Sequence, residues 1–488
     1  MLAFDNSYAT LPERFYVRLR PTGAPAPRLI RYNRALAAQF GPGWADLSDE
    51  EAAAIFSGSR IPEGAAPLAM AYAGHQFGTF VPLLGDGRAL LLGEVVDRNG
   101  VRRDIHLKGS GRTPFSRGGD GRAAVGPVIR EYIVSEAMHA LGIPTTRALA
   151  AVLTGDTVMR ETLLPGAVFT RVAMSHVRVG TFQLLAARGD DEGLKTLADH
   201  VIARLYPELE GAENRYLELL KKVSERQARL VARWLSIGFI HGVMNTDNAA
   251  ISGETIDFGP CAFMEAYDPE TVFSSIDHGG RYAYQNQPGI AQWNMARLAE
   301  TLLPLIDDDI DKAVEAANQV ILDFAGIFRE SWMAVMREKL GLADSDEQDG
   351  QLIQSLLDLF EANEIDFTRG FRLLAEAAGE EGSHAFEALF PEPSGPRQWL
   401  ERWRARLGRE LPDAEIHKAM LKANPVYIPR NHLVEEAIRA ATESEDFGPF
   451  ERLLEVLASP CEKRSDVPER YELPAKPEER VLRTFCGT

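Results

Sequence analysis

Asn248 and Asp257 are the residues whose types and spacing point most directly to chemistry. A helical stretch ends at Phe239-Ile240. The polar run His241-Gly242-Val243-Met244-Asn245-Thr246-Asp247-Asn248 follows, and polar and apolar residues then alternate through Ala249-Ala250-Ile251. Ser252-Gly253-Glu254 reads as a turn and Thr255-Ile256-Asp257 as a second short strand. A hairpin of this kind would bring Asn248 and Asp257 close together, an amide and a carboxylate side by side. Asp247, directly before Asn248, is the one acid in the loop able to accept a proton from a hydroxyl.

The order of these residues resembles the protein-kinase pattern, which is His-Arg-Asp, four residues, Asn, a hairpin and Asp-Phe-Gly. His241 to Asn248 has that spacing, and Asp257-Phe258-Gly259 matches letter for letter. The kinase base position is Val243, which cannot take a proton, and the acid stands at Asp247 instead.

Other elements must position this loop. Asn99-Gly100, between Glu94-Val95-Val96 and Ile105-His106-Leu107, is a strong hairpin signal. Lys108 ends the second strand, at the place of the kinase lysine that contacts phosphates. Gly85-Asp86-Gly87-Arg88 reads as a tight turn before Ala89-Leu90-Leu91-Leu92. Residues 109–126 are rich in glycine, with Arg112, Arg117 and Arg122, a composition that lets backbone N–H groups approach an anion. Pro127 suits the first turn of a helix running to Leu141, with Gly142 as its stop. Glu131 and Glu136 lie about 140° apart on it, so only one can face Lys108, and the other reads as a solvated charge. Arg171 and Arg178 flank Val172 to Val177, either on one helix face or converging on an anion from a loop.

Composition limits the partners. The chain has 488 residues and a formal charge of −18, which argues against nucleic acid or an anionic membrane. The first twenty residues carry five charges and no signal-peptide core, and no apolar run is long enough to span a bilayer. Three cysteines make no disulfide scaffold, so a cytoplasmic location is expected. Residues 1 to about 70 read as helical and irregular, with a capping box at Ser48 and Glu51. His75 reads as a hydrogen-bonded structural histidine. Residues 181–240 and 310–460 read as helix, with Leu352, Leu356 and Phe360 on one face. Asp344 to Gly350 reads as a solvated acidic turn, since its glycine falls late for a calcium loop.

As a whole the chain resembles the selenoprotein O family of kinase-like proteins. The match runs through Ala71 to Gly78, Lys108 to Arg122, Arg130-Glu131-Tyr132, Thr170 to Phe182, His241 to Asn248, Ile256 to Pro260, Phe273 to Tyr282 and Asn424 to Asn431. The resemblance implies an α+β, protein-kinase-like two-lobed fold with a mostly helical C-terminal extension. The expected divisions are a small lobe at 1–175, a helical lobe at 176–330 and the extension at 331–488. It implies transfer of AMP from ATP, or UMP from UTP, to Ser, Thr or Tyr hydroxyls of proteins, with Mg2+ or Mn2+. It further implies that Lys108 contacts phosphate and pairs with Glu131, that Asn248 and Asp257 bind the metal, and that Asp247 is the base. Gly85, Gly87, Arg88, Asp120, Gly121 and Asp257 would lie along the nucleotide, and Arg171 and Arg178 would hold its terminal phosphates in an orientation flipped from that of kinases. Cys486 stands where many eukaryotic members carry selenocysteine, and pairing of Cys261 with Cys486 would make a redox switch. The protein is expected to act as a monomer. A kinase transferring the γ-phosphate and a nucleotide-binding scaffold are the alternatives.

Overall fold

The computed structural model describes residues 2–408 and 412–485. Its first half is built on one antiparallel sheet of eight strands. These are Tyr16–Arg18 (β1), Arg28–Tyr32 (β2), Leu68–Met70 (β3), Ala89–Val96 (β6), Arg102–Lys108 (β7), Ala123–Ala124 (β8), Arg147–Met159 (β9) and Leu163–Ala173 (β10). Gly74–Gln76 (β4) and Thr79–Val81 (β5) form a separate hairpin. The main order is β1-β3-β6-β7-β10-β9-β2, with β8 on β10. Period-two alternation gives the sheet two working faces. Ile105 and Leu107 join the apolar core beneath Arg34–Ala37 (α1), Pro42–Ala45 (α2) and Asp49–Phe56 (α3). His106 and Lys108 point the other way, toward the cleft.

That second face is covered by Val125–Ala140 (α4), whose stop is Gly142 at φ +75°. The helical half contains Val179–Ala187 (α5), Asp191–Leu205 (α6), Arg215–Ser236 (α7), Gln287–Ile306 (α8) and Ile310–Leu340 (α9). Asp349–Ala362 (α10), Phe367–Glu376 (α11), His384–Glu387 (α12), Ser394–Leu407 (α13) and Ala414–Ala423 (α14) follow. One apolar core runs continuously from Phe182 to Trp403. Leu352, Leu356 and Phe360 all enter it. Two last helices, Asn431–Ser444 (α15) and Gly448–Leu457 (α16), return to the sheet half and pack on α4. The fold is thus mixed α+β with an antiparallel sheet. No described helix is long and apolar enough to cross a membrane.

Four expectations need correction. Residues 1–70 are not only helical and irregular, since β1, β2 and β3 lie there. Strands of three to five residues are too short to show a period; β2 and β3 pair with the longer β9 and β6, and β1 pairs in turn with β3. Residues 249–257 do not form a hairpin with each other. Ala250 bridges Arg178, and Thr255 bridges Thr145, so both segments pair outward. Glu136 is not solvated: it accepts from Arg147 at 2.8 Å and from the Ala148 N–H at 2.9 Å. The acidic turn at 344–350 is not wholly solvated either, because Asp349 is buried against Arg406 at 2.7 Å. The Ser48–Glu51 capping box is present.

Candidate active site

The register of the sheet sets up the site. Across the β7–β10 pair, Lys108 lies opposite Phe169, and Arg171 lies opposite His106. Opposed residues share a face, so Lys108 and Arg171 both project from the side that α4 covers. Glu131 on α4 meets them, accepting from Lys108 Nζ at 2.6 Å and from Arg171 Nη1 at 3.1 Å. Asp257 closes the group from the helical half, 2.5 Å from Lys108 Nζ and 3.8 Å from Arg171 Nη1. Burial alone would raise the Asp257 carboxyl, but Lys108 and Arg171 hold it well below the usual carboxylate range. It is therefore ionised at any physiological pH. Asp257 also sits at φ +69°, a left-handed conformation rare outside glycine and a mark of local strain.

Arg178 is not on a helix face with Arg171, since Arg171 is in β10 and Arg178 precedes α5. Both guanidinium groups nevertheless reach the same pocket, together with Arg88 and Lys108. Arg178 lies over the Tyr72 ring at 4.2 Å and 3.8 Å from Asp86. Asp86 is fixed by the Met70 N–H and by His106, each at 3.1 Å. Burial pulls the His106 pKa down, with Asp86 opposing the shift. Arg88 Nη1, Arg171 Nε and Arg178 Nε are buried with no protein partner among the described residues. Buried donors of this kind are rare without a ligand or water to satisfy them.

The loop His241 to Asn248 forms the facing wall. His241 is buried, which lowers its pKa, and its Nε2 lies 2.9 Å from the Ile256 carbonyl, which ties the loop to the Asp257 segment. Asn248 donates its amide to the Val243 carbonyl at 3.0 Å, leaving the amide oxygen for another partner. Burial pushes the Asp247 carboxyl up to about 6, with Arg178 and a hydrogen bond from Gln76 opposing the rise. Val243 lines the cleft without any group to accept a proton.

Two connected cavities result. A wide cleft of about 780 Å³ is bounded by Gly85, Gly87, Phe115, Asp120, Gly121 and Met159 among others. A narrow pocket of about 110 Å³ adjoins it, lined by Arg88, Lys108, Arg171 and Arg178. Tyr72, Gly87, Arg88, Asp247, Asn248 and Asp257 line both. Gly85 and Gly87 are required at this wall, because a Cβ would fall 2.3 Å from the Phe115 ring and 2.8 Å from the Phe115 carbonyl oxygen. Gly121, at φ +70°, packs on the Gly111 backbone in the same way. Asp120 is on the wall, but its carboxylate is engaged by Arg160 at 2.8 Å and the Arg122 N–H at 2.9 Å.

The structure thus brings together every residue proposed from sequence. This group contains an ion-paired lysine, three arginines with unfilled donors, the oxygen-bearing side chains of Asn248 and Asp257, and a raised carboxyl. Such a set suits a polyphosphate with a divalent cation. The SelO family model, described as "Protein adenylyltransferase SelO", matches residues 1–458. The chain belongs to this family. Relatives of near-equal length agree along the whole chain. The "Protein nucleotidyltransferase YdiU" of Agrobacterium fabrum is 62% identical, covering 100% of both chains. Its namesake in Rhizobium etli is 62% identical over 100% of this chain and 97% of its own. That of Rhodopseudomonas palustris is 59% identical over 99% of each.

Among the described residues, no three His, Cys, Asp or Glu side chains converge as a metal site. Asn248 and Asp257 still fit a magnesium-like ion, which commonly takes one or two protein oxygens and completes its shell with substrate phosphates and water. Sequence reasoning missed Tyr72, Gln76, Asp86 and His106. Asp86 carried a signal, being an acid between Gly85 and Gly87 in the tight turn. Gln76 carried none. His75 is structural as expected, with its Nδ1 2.8 Å from Gln183 Nε2. Cys261 is buried, with its thiol pushed up to about 12 by burial. Cys486 lies outside the described residues.

Proposed function

We propose that the protein transfers AMP from ATP, or UMP from UTP, to Ser, Thr or Tyr hydroxyls of proteins and releases pyrophosphate. The observation that carries this reading is the pairing of a narrow cationic pocket with a wide cleft. About 110 Å³ can take phosphates but no nucleoside, so the base and ribose belong in the wide cleft. The terminal phosphates then lie deepest, among Arg88, Arg171 and Arg178. The α-phosphorus falls at the junction, where Asp247, Asn248 and Asp257 line both cavities.

In this reading Asn248 and Asp257 hold Mg2+ or Mn2+, which supplies charge neutralisation at the phosphates. Lys108, fixed by Glu131, contacts phosphate. Gly85, Gly87, Asp120 and Gly121 shape the nucleotide wall. Asp247 takes the proton of the acceptor hydroxyl. The acceptor oxygen bonds to the α-phosphorus as the bond to the pyrophosphate oxygen breaks, and the electron pair leaves with pyrophosphate. The kinase-like two-lobed architecture, a cytoplasmic location and action as a single chain belong to the same proposal.

The test is incubation with α-labelled and γ-labelled nucleotide and an unstructured acceptor protein. Label from the α-position alone is expected in protein. Label from the γ-position alone would show a kinase, a reading that Val243 disfavours. Saturable nucleotide binding with no label from either position would show a scaffold.

A further inference from the structure

We propose that Gln76 is a positioning residue for the proton-accepting carboxylate Asp247, delivered by the β4–β5 hairpin. This rests on the nucleotidyl-transfer reading above and adds a residue to its acceptor side. Gln76 Nε2 donates to Asp247 Oδ2 at 3.3 Å, the one side-chain hydrogen bond Asp247 receives among the described residues. Asp247 Oδ1 is buried and has no partner among the described residues. A base that must meet a hydroxyl in one geometry needs its carboxylate plane held, and a single amide is what holds it here.

The surrounding backbone is arranged for this contact. The hairpin carrying Gln76 is bolted to the catalytic loop. The His75 N–H donates to Thr246 Oγ at 2.7 Å, and the Phe77 N–H to Asn245 Oδ1 at 3.0 Å. Thr246 in turn donates to Gln183 at 2.6 Å, and Tyr282 donates to Asn245 Oδ1 at 2.7 Å. Gly74 must lack a side chain, since a Cβ would lie 2.7 Å from Asp247 Oδ1. The two-residue turn is Phe77 at φ +50° and Gly78 at φ +83°. Both positions of such a turn need positive φ, and a phenylalanine there is strained. Its ring is kept by Tyr282, 5.1 Å away. A strained turn held by two backbone hydrogen bonds to Thr246 and Asn245 leaves the half-buried Gln76 side chain on the cleft wall.

The choice of a neutral amide also has a physical reason. Lysine or arginine at this position would pair with Asp247 and hold its lone pairs in an ion pair. Gln76 orients the carboxylate without neutralising it, and its half-exposed side chain is within reach of an acceptor segment entering beside Asp247.

Gln76→Met keeps the size and removes the donor, and Gln76→Ala removes the side chain. Both are compared with wild type by α-label transfer to an unstructured acceptor, by nucleotide titration and by thermal unfolding. The expected result is a kcat about three- to tenfold lower in Gln76→Met, the scale of one hydrogen bond. The nucleotide Kd and the melting temperature should stay at wild-type values. A wild-type kcat in Gln76→Met would overturn the proposal. So would a loss that appears in nucleotide Kd rather than in kcat, or one accompanied by lower stability, because those assign Gln76 to binding or packing. Failure of the underlying reading shows separately, as wild-type protein that transfers no α-label.

Discussion

Replacing Arg178 with alanine should perturb both nucleotide binding and proton transfer, each with its own readout. The guanidinium is buried, stacked on Tyr72 at 4.2 Å, and has an unpartnered Nε among the described residues. A charge-assisted hydrogen bond to phosphate is worth roughly 1.5–3 kcal/mol. At about 1.36 kcal/mol per decade, nucleotide Kd should rise roughly 12- to 160-fold. Folding should survive, because Asp86 keeps its bonds to His106 and the Met70 N–H. A second effect follows from Asp247. Burial raises this carboxyl to about 6, and Arg178 is the largest influence opposing that rise. Without Arg178 it rises further. A carboxylate base acts only when ionised, so the acidic limb of the pH–rate profile should move to higher pH. The variant at saturating nucleotide should lose proportionally more rate at low pH than at high pH. Calorimetric titration with a non-hydrolysable nucleotide and α-label transfer across the pH range measure both effects. An unchanged Kd would remove Arg178 from the phosphate site, and an acidic limb moving down would refute the electrostatic argument.

Other expected outcomes are as direct. Asp257→Ala should abolish transfer while the protein stays folded, and near wild-type activity with magnesium would show the metal site misassigned. Asp247→Ala should keep nucleotide affinity and lose about a hundred- to ten-thousand-fold in turnover, the usual worth of a positioned base. Glu254, pushed up to about 7 by burial, gives a pH-linked stability. Its folded pKa is above its unfolded value, so the native state holds the extra proton between them and stability falls as pH rises from about 4.5 to 7, by about 3 kcal/mol at most. Glu254→Gln should flatten that slope in urea unfolding, and an unchanged slope would assign it elsewhere. Peptide mapping without reductant after mild oxidation tests the Cys261–Cys486 pairing, which fails if no such linked peptide is found.

Much of this site was legible in the sequence because its residues sit at ends of regular elements. Lys108 closes a strand announced by Asn99-Gly100, and Glu131 rides a helix bounded by Pro127 and Gly142. The ambiguity between Glu131 and Glu136 was real, as both are buried or half-buried and ion-paired, and only packing assigns them. The segment 249–257 misled for a physical reason. Its alternation is that of a strand, but its backbone partners are Thr145 and Arg178, more than seventy residues away. Pairings at that separation leave no local trace. Gln76 stood within the Ala71 to Gly78 stretch but its role did not show, because its meaning comes from a loop beginning 165 residues later at His241. Asp86 was within reach, for an acid flanked by two glycines in a tight turn has little reason to be there unless something cationic faces it.

The C-terminal helices bear on the site although none of their residues enters it. Glu131 can hold Lys108 only while α4 stays against the sheet, and α4 has apolar residues on two sides. Tyr132 packs on Phe450 of α16 at 5.4 Å between ring centres, and Arg130 pairs with Glu435 of α15. Gly126 lets α15 approach so closely that a Cβ there would lie 3.0 Å from Ile438. These contacts bury the outer face of α4, which would otherwise expose valine, isoleucine and tyrosine to water at a cost of about 1.5–3 kcal/mol for each large side chain. Helix displacement therefore requires α15 and α16 to leave as well. The fixed Lys108–Glu131 pair is thus a property of the whole chain rather than of the sheet half alone. The extent of the family match agrees, since it ends at residue 458, immediately after α16 closes at Leu457.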